Sequence, residues 1–107
     1  MSAHGGWTVA TDPGLVVQRT CEHLDQAGEF PLPAVRECED CRAAGTGWVH
    51  LRQCLVCGHV ACCDSSPKRH AYAHAQAHGG HDLARSIERG EEWAWCYADD
   101  LFLRPAR

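Results

Sequence analysis

Apolar and polar residues alternate along Trp48-Val49-His50-Leu51-Arg52-Gln53-Cys54, which predicts a strand with one buried face entered through the Gly45-Thr46-Gly47 turn. Downstream, Ser66 stands at a cap position and Pro67 at a first helical position. Alanines follow at helix-favouring spacing until Gly79 and Gly80, so the main helix is predicted over 67–78. Asp82–Ile87 then reads as a strand, Glu88–Glu92 as a turn, and Trp93–Leu103 as a final strand or two. Ahead of these elements the patterning fades. Gly5, Gly6, Pro13 and Gly14, with only the apolar run Leu15–Val17, predict a flexible lead-in over 1–20 and a domain over 21–107. Gly28, Pro31 and Pro33 predict an extended connector between His23 and Cys38, with Val35 able to seed a short strand.

Composition changes this picture in one respect. The chain has 107 residues, 45% hydrophobic and 22% charged, which suits one globular domain, but it carries eight cysteines and eight histidines. An even cysteine count suggests a disulfide framework. The opening MSAHGGWTVATDPG, however, has no basic or apolar region of a secretory leader, and no apolar run approaches a membrane span of about 18 residues. A soluble, reducing, cytoplasmic setting is therefore expected, with no membrane partner, and there cysteines grouped with histidines point to metal ligation. The formal charge is -4 without a basic stripe, so a phosphate backbone would be repelled and no nucleic-acid partner is expected.

Zinc prefers four nitrogen or sulfur ligands in a tetrahedron, and a C-x-x-C turn sets two thiolates on one ion. Two such turns occur, Cys38-Glu39-Asp40-Cys41 and Cys54-Leu55-Val56-Cys57. A single pair could instead be a thioredoxin-like redox motif, but that motif opens a helix, and neither pair is predicted to do so. On the predicted helix His70, His74 and His78 recur every four residues and share a face, and His81 follows the glycines. With Cys62 or Cys63 these residues suffice for two closed sites, although spacing alone does not pair them. Cys21-Glu22-His23 and Cys96-Tyr97-Ala98-Asp99 form two further islands that fit a third site, or else a surface histidine and a buried strand cysteine.

The order C-x-H, C-x-x-C, a Trp-bearing strand, C-x-x-C, a Cys five residues on, H-x-x-x-H, G-H-x-L and W-C-Y resembles the UBP-type zinc finger. That family is the ubiquitin-binding module of deubiquitinases and of a cytoplasmic histone deacetylase. The resemblance runs from Cys21 to about Leu103, and WVHLRQCLVCGHVACCDSSPKRHA and WAWCY are similar to its short stand-alone bacterial version. It implies an α+β fold, a twisted and mostly antiparallel sheet with one main helix, stabilised by three zinc ions. Cys38, Cys41, Cys62 and His70 would hold the first ion, and Cys54, Cys57, His74 and His81 the second, with His78 as an alternative to His81. Cys21, His23, Cys96 and Asp99 would hold the third, Asp99 replacing a more usual cysteine and making a weaker ligand. Cys63 is left over, as a small buried residue.

Four protein ligands per ion leave no open position for a water, so no enzymatic activity is expected. The resemblance implies instead a monomeric zinc-binding protein-interaction module for a protein or C-terminal peptide. It would recognise a free Gly-Gly-like tail through Trp48, Trp95 and Tyr97. The alternative is a purely structural zinc scaffold or a zinc- or redox-responsive adaptor, with those aromatics as core. One departure bears on the choice. Ubiquitin-binding members carry Arg and Tyr after the cysteine that Cys62 matches, whereas this chain has Cys63, Asp64 and Ser65, and an Asp offers no donor to a carboxylate. The replacement cation would have to come from Arg52, Lys68, Arg69 or Arg85.

Overall fold

The computed structural model describes residues 6–10, 21–34 and 36–105, so Val35 and most of the predicted lead-in lie outside the described residues. Six short strands form one antiparallel sheet: β1 Trp7–Val9, β2 Leu51–Cys54, β3 Val60–Cys62, β4 Leu83–Ser86, β5 Ala94–Cys96 and β6 Leu101–Pro105. Their order across the sheet is β1-β6-β5-β4-β2-β3. A 3-10 helix, Glu22–Gln26, and two α-helices, α1 Glu39–Ala44 and the main helix α2 His70–Ala77, complete the α+β domain. No helix among the described residues is long and apolar enough to cross a membrane.

Three of the predicted elements take another form because of a partner brought by the fold, while the 3-10 helix Glu22–Gln26 occupies the start of the predicted connector and α1 forms on the Cys38–Cys41 turn. Trp7–Val9, within the predicted lead-in, pairs with β6 as an edge strand in the register Val9 to Leu103. Its aromatic and β-branched residues suit a pleated, half-buried edge. The predicted strand at 48–54 is shortened to Leu51–Cys54, because Leu51 N–H is taken by the Glu88 carboxylate at 2.8 Å and Trp48–His50 stay exposed. The main helix begins at His70 rather than Pro67. Ser66 is buried and accepts Val49 N–H at 2.8 Å through its hydroxyl, so it holds a loop instead of capping a helix. Arg69 takes the cap position in left-handed conformation, φ 46°, and His70 N–H donates to Cys62 Sγ at 3.1 Å. A cysteine sulfur thus does the work of a capping oxygen.

Cysteine also replaces hydrocarbon in the core. Leu83, Ala94, Cys96 and Leu103 pack with Cys21, Leu24 and Leu55 on one side of the sheet, and Cys38, Cys41 and Cys62 pack with Leu51, Val60, Ala71 and Ile87 in a second cluster. Between β2 and β3 the hairpin turns at Gly58, whose φ of +81° L side chains rarely adopt and whose added Cβ would lie 3.0 Å from the Phe30 ring. Gly58→Ala is expected to destabilise the zinc-loaded domain by more than about 1 kcal/mol, read from the midpoint of urea denaturation; an unchanged midpoint would show that the turn relaxes freely.

Candidate metal centre

All eight cysteines are free, so no disulfide framework exists. Twelve residues converge instead in three groups of four, and within each group the ligand atoms lie within 4.8 Å of one another. Zinc bonds of about 2.3 Å to sulfur and about 2.0 Å to nitrogen give tetrahedral edges of about 3.5 Å for S···N and about 3.8 Å for S···S. The first group matches these lengths. His70 Nδ1 lies 3.5, 3.2 and 3.5 Å from the sulfurs of Cys38, Cys41 and Cys62, and Cys41 and Cys62 are 3.8 Å apart. That separation is far beyond a disulfide bond of about 2.05 Å.

The first C-x-x-C turn does open a helix, contrary to the prediction. Cys38 is the N-cap of α1, its sulfur accepting Cys41 N–H at 3.3 Å, with Glu39 and Asp40 in the first turn and Gly45 left-handed at the C-cap. Acidic residues at the helix start and a glycine just past its end are the signals for this short helix. The turn is not thereby a redox pair, since Cys62 and His70 arrive from β3 and α2 to complete a four-ligand set. The second group draws Cys54 and Cys57 from the hairpin, His74 from α2 and His81 from beyond it. Its S···N separations are 3.6 Å for Cys54–His81 and 3.4 Å for Cys57–His74. His78 remains outside this group, its ring 4.6 Å from that of His74.

The third group ties the 3-10 helix to the β5–β6 turn, where a left-handed Asp100 folds the chain so that Asp99 N–H donates to Cys96 Sγ at 3.4 Å. Its edges are less regular. His23 Nδ1 is 2.9 Å from Asp99 Oδ2, an ordinary ion-pair distance, while Cys21–His23 and Cys96–Asp99 stretch to 4.0 and 3.8 Å. Backbone N–H groups reach a sulfur in every group, and such donors favour the thiolate that a metal requires. Burial acts oppositely when no cation is present, pushing the thiols of Cys38 and Cys21 up to about 12.

The family described as "Zn-finger in ubiquitin-hydrolases and other protein" matches residues 38–106. The chain belongs to this UBP-type zinc-finger family. A bacterial protein from Rhodopseudomonas palustris, solved in solution by NMR, is 38% identical to it. That similarity covers 83% of this chain and 85% of that one with a TM-score of 0.68. No match to a curated protein was found. The family binds zinc, and the three groups suit three zinc ions, the first two more regular than the third.

This UBP-type domain also carries an aromatic cavity of about 220 Å3, lined by Arg52, Asp64, Ser65, Trp93, Trp95, Tyr97 and Phe102. Trp95 and Phe102 are cross-strand partners with rings edge to face at 4.7 Å, and Phe102 meets Trp93 likewise at 5.4 Å. The Arg52 guanidinium lies 4.4 Å from the centre of the Trp93 ring. Among the candidate cations, Arg85 is engaged elsewhere by Gln53 and the Phe30 carbonyl, Arg69 sits over Tyr72, and Arg52 is the one that lines the cavity. Burial, reinforced by the charge of Asp64, pushes the Tyr97 hydroxyl above its usual range and keeps it a neutral donor.

Trp95 and Tyr97 therefore share one cavity, whereas Trp48 does not line it. Trp48 is 36% exposed on the loop before β2, beside Val49, whose N–H is held by Ser66 next to the Asp64–Ser65 rim. Trp93 and Phe102 are the walls that the sequence reading left unassigned. The alternation of Trp93, Trp95 and Tyr97 through β5 is the signal that could have found the first. Phe102 follows only from the register of β5 on β6.

Proposed function

We propose that this UBP-type domain is a non-catalytic protein-interaction module that takes the free C-terminal tail of a partner protein in its aromatic cavity. Arg52 binds the terminal carboxylate there. The supporting observation is the Arg52 guanidinium laid on Trp93 beside Trp95 and Tyr97: Nη1 donates to the Leu51 carbonyl at 3.0 Å, and a guanidinium's five N–H groups leave further donors for a carboxylate. Aromatic walls suit a tail of small residues such as Gly-Gly, and Trp48, exposed on the loop before β2 and outside the cavity lining, would meet the tail beyond it. Four protein ligands in each metal group argue against a catalytic zinc, and eight free cysteines accord with a reducing, cytoplasmic location.

Titration of the zinc-loaded domain with a peptide ending in Gly-Gly, followed by tryptophan fluorescence, should give saturable binding that is lost when the peptide is amidated. Equal binding of both forms would sink the carboxylate reading. Trp95 is only partly buried and its partner Phe102 is 53% exposed, so Trp95→Ala should remove binding and leave the thermal transition within a few degrees. Unfolding of that variant would favour a structural scaffold instead.

A further inference from the structure

Asp40 sits between Cys38 and Cys41 in the chain, yet its carboxylate faces the second metal group, with Oδ2 accepting from His59 Nε2 at 2.7 Å. His59 makes two contacts to second-group ligands. Its ring stacks on that of His74, with centroids 4.8 Å apart and planes 18° from parallel, and its carbonyl accepts Cys54 N–H at 2.8 Å. Glu39 reinforces the link, since its carboxylate accepts Val60 N–H at 3.2 Å and approaches His59 Nδ1 at 3.7 Å. None of Glu39, Asp40 and His59 belongs to a metal group.

We propose that Asp40 and His59 couple the two groups, so that a zinc ion in either one raises the affinity of the other. The first turn of α1 is built on the Cys38 sulfur, and ligation of Cys38 and Cys41 fixes where Asp40 stands. Asp40 in turn fixes the His59 ring, and that ring buttresses the ligand His74 while the same residue's carbonyl holds Cys54. Run in reverse, a second group fixed by zinc presents His59 to Asp40 and preorganises the turn that carries two first-group ligands. Linkage requires the two effects to be equal. Acidic residues at a helix start are commonly explained by the helix dipole alone. That explanation needs neither the bond to His59 nor the stack on His74. The third group is the internal reference, because neither Asp40 nor His59 bonds to its ligands among the described residues.

The test is stepwise removal of zinc from the full chain by EDTA, with the bound ions counted by native mass spectrometry. Coupled ions leave together, so the wild type should skip one intermediate mass: either the two-zinc or the one-zinc form stays scarce throughout. His59→Phe keeps a ring against His74 but cannot bond to Asp40. Asp40→Ala removes the carboxylate at a side chain that is 42% exposed, so it carries the test if His59→Phe fails to fold. Coupling of this kind changes affinity about 5- to 150-fold, and because the peak share of the half-loaded form falls roughly as the square root of that factor, each variant should raise the skipped form about 1.5- to 6-fold. Glu37→Ala, on a carboxylate that pairs with Arg42, should behave as wild type. The proposal is overturned if no intermediate of the wild type falls below the share of about half that independent equal sites give, or if the form depressed in the wild type rises no higher in Asp40→Ala.

Discussion

Stripping zinc with excess chelator should abolish the cooperative thermal transition, and restoring zinc should bring it back. Each structural ion contributes on the order of 10 kcal/mol, comparable to the whole stability of a domain of this size. The structure shows why no hydrocarbon core substitutes: Cys38, Cys41, Cys62 and Cys96 are fully buried and occupy positions that apolar side chains would otherwise fill. Without a cation, burial holds Cys38 and Cys21 near 12, against about 8.5 in an unfolded chain. The metal-free fold therefore binds those protons more tightly than the unfolded chain does. It loses stability as pH rises from about 8.5 towards 12. Zinc reverses the sign, since the ion holds thiolates and neutral imidazoles and protons compete for them as pH falls. The melting temperature of the loaded domain should accordingly drop between pH 7.5 and 5. Cys62→Ser, which removes a ligand and the sulfur that starts α2, should be far more damaging than Asp99→Ala, whose side chain is 30% exposed in the least regular group. A zinc-free sample that melts at the temperature of the loaded one would contradict this account.

The residues that the fold gathers into the three groups were legible because zinc imposes a chemical alphabet and short spacings, and both survive in a linear string. The positions that depend on tertiary partners were not. Nothing local says that Ser66 turns inward to Val49, so Ser66-Pro67 reads as a helix start when the sulfur of Cys62 sets the start at His70. Trp7–Val9 is too short to declare itself and becomes a strand only because β6 offers an edge. The Cys38 turn carries too little periodicity in six residues to predict a helix, although Glu39, Asp40 and Gly45 are signals for one. In the cavity the alternation through β5 could be read, but the approach of Arg52 to Trp93 could not. Those residues lie 41 positions apart in sequence and come together through the β2–β4–β5 order of the sheet.

Arg52→Ala should weaken binding of a Gly-Gly tail about 10- to 100-fold, because a charge-assisted hydrogen bond to a carboxylate is worth roughly 1.5–3 kcal/mol. Loss of the side chain also uncovers Trp93, so Arg52→Gln, which keeps most of the stem and a neutral donor, separates lost packing from lost charge. Asp64 acts with the opposite sign. It lines the same cavity and repels a carboxylate, yet it is exposed, and exposed charges of this kind contribute about 1 kcal/mol or less. Asp64→Arg should therefore tighten tail binding by no more than about fivefold, with a gain that shrinks as salt is added, whereas the Arg52 effect inside the aromatic walls persists. The comparison of magnitudes identifies the cation that holds the tail. If Arg52→Ala is nearly silent while Asp64→Arg raises affinity by orders of magnitude, the carboxylate sits at the rim beside residue 64, and Arg52 serves only to pack against Trp93.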